Sequence, residues 1–120
     1  PVLFPQDGPT DGLITRTDPG TFLLPNIGTY MVQFQVSVTE PGQLIIALDS
    51  GSGFVDVDSS VVGRATGTSQ IVGMSLITTT AANTLLQIQN PTGNSTALTI
   101  TPLAGGTRPV SAHLVITQID

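Results

Sequence analysis

The longest regular pattern in the chain is an alternation in which Tyr30, Val32, Phe34, Val36 and Val38 interleave with Met31, Gln33, Gln35, Ser37 and Thr39. A period of two marks a β-strand with one buried face, because successive side chains leave a pleated strand on opposite sides. The Tyr30 to Val38 set is expected to face a core, with Met31 and Gln33 on the other side. Pro41-Gly42 interrupts the run, and Leu44, Ile46 and Leu48 resume it as far as Asp49-Ser50-Gly51-Ser52-Gly53. These two runs read as a hairpin followed by a loop.

Further strands are predicted over Phe54 to Val62, Gln70 to Thr79, Thr84 to Gln89, Ala97 to Thr101 and Val110 to Ile119. Turns separate them at Ala81-Ala82-Asn83, Asn90-Pro91-Thr92-Gly93 and Leu103-Ala104-Gly105-Gly106. Upstream, Leu13 to Thr17 and Thr21 to Leu24 flank Asp18-Pro19-Gly20, and Val2 to Phe4 reads as an edge strand. Nothing reads as a helix. Short strands at this spacing predict an all-β, antiparallel two-sheet sandwich or jelly roll, in one domain spanning 1–120. Residues 1–12, with Pro1, Pro5, Gly8, Pro9 and Gly12, are expected to be loosely held.

Two strands carry apolar residues on both faces. In the last, Val110, Ala112, Leu114 and Ile116 oppose His113, Val115 and Ile119; in the segment around Met74, Val72, Met74 and Leu76 oppose Ile71 and Ile77. An outer sheet face in water is normally polar, so a second apolar face points to burial against a neighbour, the alternative being cover by a loop of the same chain. Met31, Gln33, Ile71, Ile77, His113 and Val115 are the residues expected at a subunit interface.

Composition strengthens this expectation. Charged residues are 9% of the chain, where roughly 25% is ordinary, and so weakly charged a surface favours self-association. A homo-oligomer is expected. The net charge is -5, with no lysine and only Arg16, Arg64 and Arg108 as cations, which argues against a nucleic-acid partner that needs clustered basic residues. No cysteine is present, which excludes thiolate metal sites and a disulfide framework. No apolar run approaches the roughly 20 residues of a membrane span. The opening Pro1-Val2-Leu3-Phe4-Pro5 lacks the basic start of a signal peptide, so the chain reads as a mature domain or part of a longer one.

Candidate chemistry is sparse. His113 is the only histidine, and no Gly-x-Ser-x-Gly elbow accompanies it, so nucleophilic catalysis lacks its base-and-nucleophile pair. No enzyme activity is expected. Asp49, Asp56 and Asp58 border a Gly- and Ser-rich loop, and Asp56 and Asp58 would point to one side of a strand, the oxygen chemistry a calcium ion takes. Three solvated carboxylates at a loop mouth is the plainer reading, and Asp7 and Asp11 offer a weaker version of the same claim. No cofactor is otherwise implied. Asn94-Ser95-Thr96 matches a glycosylation sequon but is read as a turn, and Arg108 is placed where it could contact a neighbouring chain.

Three stretches carry a family resemblance. Ile77 to Leu86, Asn90 to Pro102 and Pro109 to Ile116 resemble the C-terminal domain of the collagen-like spore-surface (exosporium) glycoproteins typified by BclA. Gly28-Thr29-Tyr30 is similar to the Gly-x-Tyr opening a central strand there and in the wider tumour-necrosis-factor and complement-type heads. The resemblance implies a tumour-necrosis-factor-like jelly roll that assembles as a homotrimer on a spore or cell surface and caps a collagen-like stalk. A folded trimer at one end sets the common register that collagen chains need. No Gly-X-Y repeat is present, so a stalk would precede Pro1. The expected function is therefore a structural trimerisation cap. The alternative is a lectin-like or receptor-binding (adhesin) head, meeting glycans or a host receptor through loops 49–53 and 63–69.

Overall fold

The structure, a computed structural model, describes residues 1–65, 69–94, 98–101, 107 and 112–120. The expected turn at Leu103 to Gly106, residues Ser95 and Thr96 of the sequon, Ala97, Arg108 and the start of the last predicted strand at Val110 lie outside the described residues.

The fold is all-β. The described strands are β1 (Thr15–Asp18), β2 (Thr21–Leu24), β3 (Thr29–Val38), β4 (Gly42–Asp49), β5 (Phe54–Asp56), β6 (Val62–Arg64), β7 (Ser69–Thr78), β8 (Thr84–Gln89) and β9 (Ala112–Gln118). They form two antiparallel sheets. One runs β1-β2-β8-β4-β5, with β6 also paired to β4, and the other runs β7-β3-β9. The core takes Leu24, Leu44, Ile46, Leu86 and Ile88 from the first sheet, and Tyr30, Val32, Phe34, Val36, Val38, Ile71 and Ile77 from the second. The expected inward set of β3 is buried along its whole length. Each such aliphatic side chain contributes about 1.5–3 kcal/mol by leaving water.

The structure departs from the expected hairpin, because β3 and β4 lie in different sheets and do not pair. Both strands send their apolar set into the core, and placing them in separate sheets buries both sets against the rest of it. Residues 39–41 carry the crossing, and Glu40 fastens it. Its carboxylate accepts the Thr99 N–H at 2.7 Å and the hydroxyls of Thr99 and Thr39, each also at 2.7 Å. These bonds favour the charged form, led by the Thr99 N–H and then the Thr99 hydroxyl, and hold the Glu40 carboxyl down at about 2.

The single strand expected over 54–62 is broken in three: β5 ends at Asp56, a 3-10 turn covers Asp58–Ser60, and β6 begins at Val62. The cause is Ser60, a buried residue whose hydroxyl accepts the Ile46 N–H at 2.9 Å and donates to the Val57 carbonyl at 2.7 Å. A side chain thus replaces one rung of the ladder, and the chain turns to let it.

Residues 2–4 form no strand, yet they are not loose. The Val2 N–H donates to the Ile88 carbonyl at 2.8 Å and the Phe4 N–H to the Pro19 carbonyl at 2.7 Å. Both side chains are buried, and the Phe4 ring meets Phe22 edge-on at 6.0 Å. Arg16 then clasps the segment, pairing with both carboxylate oxygens of Asp7 and donating to the carbonyls of Phe4 and Pro5. Residues 6–12 are all exposed.

At the other end of the sandwich the Tyr30 hydroxyl donates to the Asn26 carbonyl at 2.6 Å, and Thr29 exchanges backbone bonds with Ile119 and Asp120. Gly28 is required there, because a Cβ would run into the Asp120 carbonyl and the Gln118 amide.

Candidate functional site

The feature that stands out is the outer face of the β7-β3-β9 sheet. None of these three strands contains an Asp, Glu, Lys or Arg. Register places the outward side chains in rows: Leu76, Met31 and Thr117; then Met74, Gln33 and Val115; then Val72, Gln35 and His113. Val72, Met74 and Leu76 are each at least 60% exposed, and Val115 is 52% exposed. Val72, Met74 and Leu76 with the adjoining Met31 form an exposed apolar strip, and Gln33 separates it from Val115; exposed apolar groups clustered in this way mark contact surfaces more than scattered single ones do.

Met31, Gln33, His113 and Val115 lie on this face, as expected from the alternation. Ile71 and Ile77 do not, which corrects their assignment to the subunit face. Ile77 pairs in register with Tyr30 and Ile71 with Val36, and both are buried in the core. Alternation alone could not choose between two apolar faces of β7. The available signal was Gly73, two residues after Ile71 on the same face, since the inward face has to leave room for the Phe34 ring opposite it.

The three acidic residues singled out for calcium are used separately. Asp49 Oδ1 accepts the N–H groups of Gly51 and Gly53 at 2.7 and 3.1 Å and so closes its own loop. Asp56 Oδ2 accepts the Thr92 N–H at 2.8 Å. Asp58 starts the 3-10 turn, so it does not share a strand face with Asp56. Among the described residues, no group of three His, Cys, Asp or Glu is arranged to hold a metal ion. Asp7 is taken by Arg16, and Asp11 accepts the Leu13 N–H.

Of the two loops proposed for binding, residues 66–68 of the second lie outside the described residues. Asp49 pairs with Phe54 at one end of β4, and Gly42 with Arg64 at the other. Seven residue steps of strand at about 3.3 Å each put these two ends of β4 roughly 23 Å apart. No helix among the described residues is long and apolar enough to cross a membrane. The chain matches no protein-family model and no curated protein sequence.

Proposed function

We propose that this domain is a non-catalytic structural head that assembles with two further copies through the outer face of β7-β3-β9. The observation that carries the proposal is the line of exposed Val72, Met74 and Leu76 beside Met31, with Val115 across Gln33, on a sheet without Asp, Glu, Lys or Arg. Burying that face on assembly adds apolar contact to a small core.

The finer fold reading is a tumour-necrosis-factor-like jelly roll. It is supported by sheet orders that set β8 between β2 and β4 and β3 between β7 and β9, crossovers of the kind that Greek-key connections produce. The sequence resemblance extends this to a trimeric cap on a collagen-like stalk at a bacterial spore or cell surface. Pro1 lies beside Val38 and Leu44, while Asp120 bonds Thr29 at the far end of β3. A stalk ahead of Pro1 would leave from the first end, with loop 49–53 at the opposite tip.

Light scattering on a dilution series tests the proposal. A trimer that persists on dilution supports the cap, and a monomer at every concentration overturns it. A second reading, an adhesin or lectin-like head, draws on the Asp49-closed loop at the tip. Binding on a glycan array that is lost in Asp49→Ala would favour it.

A further inference from the structure

On the reading that this face is buried against further copies of the chain, we infer that Gln33 determines how the copies meet. Gln33 stands at the centre of the face, between Met74 and Val115 in register, with Met31 and Gln35 two residues away on the same strand. The occupant follows from charge. The chain carries a net charge of -5, yet β3, β7 and β9 hold no Asp, Glu, Lys or Arg, and His113 is the one ionisable side chain on their outer face. A second copy of the same acidic chain meets least repulsion through a surface that carries none of its carboxylates.

In the single chain the Gln33 amide donates to Met74 Sδ at 3.2 Å, and a thioether is a weak acceptor. Its carbonyl oxygen bonds no described residue. Water serves the remaining sites while the face is open, and assembly removes that water. A carboxamide left unpaired in a desolvated contact is penalised, so the copies must meet in a register that gives Gln33 a partner. The chain supplies one itself: around a symmetry axis passing close to this residue, each Gln33 N–H donates to the carbonyl of the next. The apolar neighbours tolerate sliding, whereas the amide does not, much as one polar residue sets the register and number of strands in a coiled coil.

Sedimentation velocity across a concentration series, on wild type, Gln33→Leu, Gln33→Glu and Ser50→Glu, tests this. The expected wild type is one discrete oligomer. Gln33→Leu associates more tightly but as a mixture of sizes. Gln33→Glu weakens association at pH 7 by at least about 100-fold, since like charges would be juxtaposed. Ser50→Glu, which adds the same charge in an exposed loop, leaves association unchanged. A discrete oligomer whose size and affinity are unaffected by both Gln33 substitutions overturns the inference and leaves the assembly reading intact; so does equal weakening by Ser50→Glu. A wild type that is monomeric throughout overturns both.

Discussion

The Phe34 ring lies against the backbone of Gly73, its register partner on β7, so closely that a Cβ at Gly73 would collide with three ring carbons. The contact joins the central strand to its neighbour and turns β7 so that Ile71 and Ile77 point inward. Gly73→Ala is expected to lower stability by about 1–3 kcal/mol through overpacking, read as a shift in urea midpoint. Phe34→Leu in the same background should recover part of the loss, because the two positions are coupled. A Gly73→Ala protein as stable as wild type would remove the basis for this strand's facing.

The two faces of β7 give opposite expectations. Ile71→Ala and Ile77→Ala should each cost about 2–5 kcal/mol of folding stability, as cavities in a packed core do. Met74→Glu should leave single-chain stability within about 0.5 kcal/mol, the ordinary range for a surface change, while weakening association. Thermal unfolding and light scattering on the same samples separate the two effects. Loss of folding in Met74→Glu with a tolerated Ile77→Ala would reverse the facing.

The N-terminal segment is held by packing more than by charge. Phe4 is buried, whereas the Asp7 side chain that pairs with Arg16 is 64% exposed. Phe4→Ala is therefore expected to cost about 3–5 kcal/mol, and Asp7→Ala no more than about 1 kcal/mol. Denaturant titration of the two variants checks the order.

Glu40 predicts a specific acid sensitivity. Its pKa falls from an ordinary 4.5 to about 2 on folding, so the unfolded chain binds the proton first as pH drops. The stabilisation is complete above pH 4.5 and is lost as pH falls towards about 2. Glu40→Gln should flatten the stability profile in that window and leave its shape above it unchanged. An identical acid profile in the variant would mean that the Thr99 bonds carry no such linkage.

Much of the architecture is legible from the amino-acid order. The alternation from Tyr30 to Val38 defines a central strand and its buried face, because a pleated strand presents every second residue to the same side. Turn residues delimit Thr21–Leu24 and Thr84–Gln89, and the structure keeps those limits. Met31 and Gln33 could be assigned to the outer face by parity alone.

Tertiary structure decided the rest. The facing of β7 needed the register that sets Gly73 under Phe34, because both of its faces are apolar. The crossing at 39–41 needed the partner sheet, since a Pro-Gly turn is equally consistent with a hairpin and with a step between layers. Asp49, Asp56 and Asp58 look like a cluster in one dimension, but the Asp49 and Asp56 carboxylates bond different backbone segments, and the 3-10 turn at Ser60 breaks the strand that would have aligned Asp58 with Asp56. Periodicity is a local property carried by each residue's own side chain, whereas pairing, facing and clustering depend on which distant segment a strand meets.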